Sequence, residues 1–408
     1  MQKIKYKCSQ FNYIQEKEKY VLIYNTLYNS FVRLNQEEYD EYKTVDEKSK
    51  LASEFIANGL WIEKDIDEFV HYLACSKAYT LTMTRPLDIT VTTTLKCNAR
   101  CAYCYEKGVR QNDITENAQE KIVHFILDNV GESGVHLVWF GGEPLMNPSC
   151  MDYISTRLQE EHIYFSSYII TNGSLLTDEI ISSKFKLWNV QNLQITLDGT
   201  KGMYEARKQY IHPEEGEFYK ILNTIRAVSK ENVFINVRLN IERSNKMDMM
   251  ALLQELDSIF ASYDNVVFYP AFVTGTNDPM TENEKVQTVK EMLLAVKNIK
   301  KLTANTKLYS LPRMHACMNG DPRSFSIDVN GNIYACEHYV GKAEYAIGNV
   351  IQNELQEDHR GRKDTLRDDC KKCVFLPKCY GGCEANYLEG DDPCMIEKYL
   401  IKAYLEIL

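Results

Sequence analysis

The apolar positions fall into three stretches of different texture. In the first 84 residues two short apolar runs, Tyr20–Tyr24 and Ser30–Leu34, flank a turn at 25–29, the pattern of two short strands. Asn35 followed three residues on by Glu38 marks a helix start, and a second helix over Leu51–Ala57 is stopped by Asn58 and Gly59. The acidic stretch Glu63–Glu68 leads into a third. From Leu87 strands and helices alternate. Strands are predicted over Leu87–Thr94, Val135–Phe140, Tyr168–Thr171, Leu193–Leu197, Val233–Ile241 and Val266–Pro270. Helices are predicted between them over Glu116–Asn129, Ser149–Glu160, Thr177–Lys186, Phe218–Lys230 and Asn245–Phe260, with one more over Asn283–Lys300. From about Leu311 the periodicity fades into Cys, Gly, Asp and Lys, with little apolar material for a separate core. Only Met395–Leu408 reads as a terminal helix.

Repeated strand–helix pairs imply a parallel sheet with helices outside. Six units are too few to close an eight-stranded barrel. The expected fold class is α/β: an open, partial (β/α)6 barrel over 85–310, preceded by a small α+β unit over 1–84 and followed by a cysteine-rich segment over 311–408. Chemistry is expected at the carboxyl ends of the strands.

Composition narrows the function. With 44% hydrophobic and 25% charged residues the chain is not disordered. It has no run of about 18 apolar residues, so no membrane span is expected. The polar Met1–Tyr13 lacks the apolar core of a secretory signal, which points to the cytoplasm. A net charge of −10 argues against a nucleic-acid partner. The thirteen cysteines are odd in number and clustered, and in a reducing compartment clustered thiols hold metal. Cys8, Cys75 and Cys150 stand alone and are expected as small buried hydrophobes.

Cys97, Cys101 and Cys104 follow the first barrel strand at C-x3-C-x2-C spacing. Three thiolates on a [4Fe–4S] cube leave one iron open to a substrate or cofactor; a three-ligand zinc site or plain core cysteines would share that spacing. Phe140–Pro144, Thr171–Gly173 and Thr196–Gly199 end the second, third and fourth strands. With the aromatic Tyr103 before the last cysteine, these motifs resemble the radical SAM enzymes over about 87–270. The resemblance implies a [4Fe–4S] cluster whose open iron is chelated by S-adenosylmethionine, and a 5′-deoxyadenosyl radical that abstracts hydrogen. It implies cofactor contacts from Tyr103, from Gly141, Gly142, Glu143 and Pro144 at the methionine amino group, from Asn172, and from the Thr196 hydroxyl. Arg207 and Arg238 are candidates for the cofactor carboxylate, a surface salt bridge being the other reading of each.

Near the C-terminus stand Cys317, Cys336, Cys370, Cys373, Cys379, Cys383 and Cys394. Cys370, Cys373, Cys379 and Cys383 alone would suit zinc. The whole array resembles the SPASM extension of radical SAM peptide maturases, among them the thioether-forming sactipeptide and ranthipeptide enzymes. It implies two auxiliary clusters, hence three [4Fe–4S] clusters in all: Cys370, Cys373, Cys379 and Cys394 on the distal one, and Cys317, Cys336 and Cys383 on the proximal one. The proximal set is one ligand short, leaving a place for a substrate thiolate or for Glu337, His338 or Cys8. Glu337 stands where sulfatase-maturing relatives carry a catalytic Asp, which suggests a general base; a solvated Glu is the other reading. The N-terminal unit resembles, in pattern, small peptide-recognition domains that add a leader peptide to a sheet edge, or else it caps the open barrel. The resemblance implies a maturase acting on a ribosomal precursor peptide, with a flavodoxin or ferredoxin type electron donor and a thioether or other crosslink as product. Formylglycine formation, carbon–carbon or carbon–oxygen crosslinking and a non-catalytic zinc protein are the alternatives.

Overall fold

The computed structural model describes residues 5–104, 106–297, 302, 312–314, 317–356 and 366–408. Five strands lie in the N-terminal unit: β1 (Tyr6–Cys8), β2 (Asn12–Glu16), β3 (Val21–Asn25), β4 (Ser30–Leu34) and β5 (Trp61–Glu63). β2, β3 and β4 form an antiparallel sheet with β3 central, and β1 pairs with β5. Every residue of β3 is buried because both of its faces are covered. Val21 and Ile23 pack on Tyr39, Tyr42, Phe55 and Trp61 of the unit's own helices and β5, while Leu22 and Tyr24 pack on Phe375, Ile401 and Leu405 of the C-terminal segment. The helix Gln36–Thr44 starts with the expected reciprocal cap between Asn35 and Glu38. The unit's bonds to the C-terminal segment run from Thr26 Oγ1 to the Val374 carbonyl (2.5 Å), from Lys378 Nζ to Asn29 Oδ1 (2.9 Å) and from Ser76 Oγ to the Met314 carbonyl (2.7 Å).

The centre of the molecule is six parallel strands side by side in chain order: β6 (Leu87–Thr94), β7 (Val135–Gly141), β8 (Phe165–Thr171), β9 (Val190–Leu197), β10 (Phe234–Ile241) and β11 (Val266–Phe272). Their outward residues, such as Ile89, Leu137, Ile169, Leu193, Ile195, Val237 and Phe268, are sealed under the helices. Strand alternation then turns Asp88, His136, Tyr168, Asn192, Gln194, Thr196, Asn236, Arg238 and Tyr269 inward. A closed eight-stranded barrel fills its interior with branched apolar side chains. This polar lining instead surrounds a hollow.

β12 (Ser324–Ile327) adds a parallel strand beside β6, followed by the antiparallel β13 (Asn332–Tyr334), β14 (Gly348–Asn349) and β15 (Glu354–Leu355). The C-terminal segment thus needs no core of its own. Phe325, Ile327, Ile333, Tyr334, Tyr399 and Leu400 join the barrel's core.

Other expectations change. Thr177–Lys186 is not one regular helix: a π-helical turn over Ile180–Lys184 runs into a short helix at Phe185–Leu187. A helix over Lys201–Lys208 was not expected. The predicted Asn283–Lys300 helix spans Glu282–Ala295, and residues 298–300 lie outside the described residues. Cys150 is buried as expected, but Cys75 is exposed, 3.7 Å from His71 Nε2. Among the described residues no helix is long and apolar enough to cross a membrane.

Candidate active site

The Cys97–Cys104 loop leaves β6 and is held by the ends of the neighbouring strands. The Gly142 N–H donates to the Thr94 carbonyl (3.0 Å) and the Glu143 N–H to the Lys96 carbonyl (2.9 Å). Both glycines are required by that approach. A Cβ on Gly141, at φ +125°, would lie 2.1 Å from the Thr94 oxygen, and one on Gly142 would lie 2.4 Å from the Lys96 oxygen. Glu143 is fully buried; its carboxylate accepts from Thr171 Oγ1 (2.6 Å) and from the Asn172 N–H (2.8 Å), joining the ends of β7 and β8. Burial raises its pKa, and these bonds oppose the rise. Asn172 Nδ2 donates to Asn98 Oδ1 (2.8 Å), inside the cysteine loop. Pro144 is buried and opens a single 3-10 turn.

Tyr103 belongs to a buried network that sequence reading missed. Its hydroxyl donates to Asp198 Oδ2 (2.8 Å) and accepts from Lys208 Nζ (3.1 Å), which also pairs with Asp198 (3.2 Å). The Lys208 carbonyl accepts from Cys101 Sγ (3.7 Å). Burial opposes the Lys208 charge, but Asp198 and Tyr103 hold its pKa well above the ordinary value. Asp198 lies inside the Thr196–Gly199 motif. Lys208 follows Arg207, and adjacent helical positions point about 100° apart. Arg207 makes a two-bond pair with Glu242 (2.6 and 3.3 Å) and lies over the Tyr103 ring, 5.2 Å from its centroid.

Thr196, Arg238 and Tyr269 are register partners facing the lumen. Arg238 donates to Asn240 Oδ1 (2.9 Å). Glu337, from the C-terminal segment, lies within electrostatic reach of Arg238. Burial raises its pKa, Arg238 opposes the rise and Asp88 adds to it. Glu106, two residues past Cys104, is pushed up to about 7 by burial and by Glu337. The C-terminal segment thus brings a carboxylate within electrostatic reach of Arg238 and of Glu106.

The thiols gather in three sets. Burial pushes Cys97 up to about 12, with Cys101 and Cys104 adding to the rise and the Ala99 N–H, 3.4 Å from its sulfur, opposing it. Cys336 is pushed up to about 12 by burial, with Cys317 and Cys383 as its thiol neighbours. Cys379 is pushed up to about 12 by burial, with Cys373, Cys370 and Cys394 as its neighbours. Among the described residues no three His, Cys, Asp or Glu side chains converge on a single metal-ion position. Of the candidates for the short set, Glu337 is half-buried next to Cys336, His338 Nε2 lies 2.6 Å from Glu389, and Cys8 packs in the N-terminal core.

Comparison with known proteins agrees with this geometry. The family model of the Radical SAM superfamily matches residues 91–256. This chain carries a radical SAM domain. The radical SAM domain's cofactors are S-adenosylmethionine and a [4Fe–4S] cluster, and the chain is an enzyme. A serine-type anaerobic sulfatase-maturating enzyme of Bacteroides thetaiotaomicron is 23% identical over 362 residues, covering 76% of this chain and 85% of that one. The structure of anSMEcpe with bound AdoMet superposes with a TM-score of 0.59 at 15% identity, over 79% of this chain and 92% of the other. Streptococcus suis SuiB bound to the precursor peptide SuiA superposes with a TM-score of 0.53 at 13% identity, over 95% of this chain and 98% of the other.

Proposed function

We propose that this radical SAM enzyme matures a ribosomally made precursor peptide in the cytoplasm, taking hydrogen from one residue and closing a thioether crosslink. The observations that carry the reading are the polar-lined hollow of the barrel and the two sets of neighbouring thiols, Cys97 with Cys101 and Cys104, and Cys336 with Cys317 and Cys383. Bound at Cys97, Cys101 and Cys104, the cofactors supply the 5′-deoxyadenosyl radical that removes the hydrogen atom. Gly141–Pro144, Asn172, Thr196 and Tyr103 shape the cofactor's place at the strand ends. Arg207 and Arg238 are the candidate arginines for a bound carboxylate. Cys370, Cys373, Cys379 and Cys394 would hold one auxiliary [4Fe–4S] cluster completely. The trio would hold another, with a corner left for the substrate thiol. Crosslinking forms one C–S bond and breaks one C–H and one S–H bond. The hydrogen atom goes to the radical, the thiol proton to a base, and the remaining electron to the flavodoxin or ferredoxin type partner that supplied the first.

The leader segment would add to β4, an edge strand with Phe31 and Arg33 exposed. The extent of the SuiB match, which takes in nearly all of this chain, supports a role for the N-terminal unit in holding peptide. A second reading has its own support. Glu337 meets no hydrogen-bond partner among the described residues, as a general base awaiting substrate would, and formylglycine formation needs such a base. Reduced enzyme given a cysteine-containing precursor peptide should remove two hydrogens per crosslink, read by mass spectrometry. A Cys→Ser peptide should stay unmodified; if the serine peptide is oxidised instead, the formylglycine reading replaces the thioether.

A further inference from the structure

Two of the C-terminal thiols differ from the rest in what touches their sulfur. Arg367 Nη2 lies 3.0 Å from Cys370 Sγ, and Lys398 Nζ lies 3.7 Å from Cys394 Sγ. Both cysteines belong to the set read above as holding one auxiliary cluster completely. The first cysteine loop has no such partners. There Cys97 Sγ accepts from the Ala99 N–H (3.4 Å), and Cys101 Sγ faces the Lys208 carbonyl. Among the described residues no charged side chain donates a hydrogen bond to a sulfur of that loop or of Cys317, Cys336 and Cys383.

Both cations are held from their far sides. The Arg367 guanidinium lies over the Tyr387 ring, 4.8 Å from its centroid. Its carboxylate neighbour Asp369 is farther off than the sulfur, at 3.4 Å, and is 76% exposed, whereas Cys370 is buried. Water therefore screens the carboxylate more than the sulfur contact. Lys398 is fixed by Glu282 Oε2 (2.6 Å), which comes from the barrel helix Glu282–Ala295, and Glu282 also pairs with Lys402. Two lysines share that one carboxylate, so positive charge is left over beside Cys394. Asp392, which accepts from the Cys394 N–H (2.9 Å), is itself paired with Lys285 (2.5 Å).

We propose that Arg367 and Lys398 are positioning residues for the set Cys370, Cys373, Cys379 and Cys394: they orient two of its sulfurs and raise the reduction potential of the cluster held there. An added electron leaves extra negative charge on the sulfurs of an iron–sulfur cluster, and a fixed cation at hydrogen-bond distance favours that state. Charged donors form the stronger hydrogen bonds, and partners behind the ligands tune what the ligands hold. The inference rests on the reading of these four thiols as a cluster site.

An anaerobic redox titration followed by electron paramagnetic resonance tests it. The protein is iron-loaded enzyme with Cys97, Cys101 and Cys104 replaced by Ala, which leaves only the signals of the C-terminal sets. The signal that Cys379→Ala then removes belongs to the four-thiol set. Arg367→Gln keeps a neutral donor and removes the charge. At fixed potential its reduced-to-oxidised ratio should fall about tenfold, a drop of about 59 mV in midpoint. Lys398→Met should lower the midpoint less, because its amine is farther from the sulfur and shared with Glu282. Arg367→Lys should keep most of the starting value. The other C-terminal signal should stay in place throughout, which a general loosening of the segment would not allow. If Arg367→Gln sheds its iron, Lys398→Met gives the same reading. An unmoved midpoint with iron retained, or equal shifts of both signals, would overturn the inference alone. No loss of iron in Cys379→Ala would overturn the cluster reading and the inference with it.

Discussion

The first cysteine loop and the C-terminal cysteine segment hold thiols of the same kind in opposite ways. Around Cys97–Cys104 the protein does the holding. Two glycines bring the end of β7 against the loop, Glu143 and Asn172 join the strand ends, and Tyr103 is anchored to a buried ion pair. Around Cys370–Cys394 regular structure is scarce. The helices Asp368–Lys371 and Leu376–Cys379 are four residues each, and the segment leans on the helix Ile396–Ile407 and on the N-terminal sheet. The difference teaches that the barrel holds its cysteine loop through strand-end contacts, while the C-terminal cysteines sit on short elements braced by their neighbours, the setting in which bound metal contributes most to order.

The sharpest break in that comparison comes from replacing Cys97, Cys101 and Cys104 together by Ala. S-adenosylmethionine cleavage should fall to background and iron should drop from about twelve to about eight per chain. The melting temperature of the barrel should barely move. Cys379→Ala should also remove about four irons. Here hydrogen exchange should rise across 366–394 and at the contact with β3 while the barrel strands stay protected; uniform exchange across both regions would erase the contrast. Lys208→Met strands Asp198 as a buried, unpaired charge and should cost about 3–5 kcal/mol in denaturant unfolding. Tyr103→Phe should cost about 1–2 kcal/mol, because it deletes one hydroxyl from that network.

What was legible in the sequence follows from the length and burial of each element. The long strands were, because a strand covered by helices must be apolar on its outer face: Leu87–Thr94 and the helix Glu116–Asn129 appear with their expected ends. β1 and β5 were missed because three-residue strands leave no period to read. The helix Lys201–Lys208 was missed because its buried positions are Tyr204 and Lys208, and a buried lysine looks solvated until its partner is known. Cys97, Cys101 and Cys104 were picked out by spacing together with the strand-end motifs, because a thiol cluster leaves its pattern in the sequence without needing the fold. Asp198 was not, because what ties it to the cysteine loop is its bond to Tyr103 and its pair with Lys208, contacts that only the folded chain makes.

The central claim is that the thiols of the first loop support radical chemistry on a peptide. Its most direct measurement is an anaerobic incubation of reduced enzyme with S-adenosylmethionine and a cysteine-containing precursor peptide, followed by chromatography and mass spectrometry. The expected result is 5′-deoxyadenosine together with peptide lighter by two hydrogens per crosslink, both absent from the Cys97, Cys101 and Cys104 triple variant. Equal 5′-deoxyadenosine from the triple variant, or none from the wild-type chain with its iron in place, would contradict it.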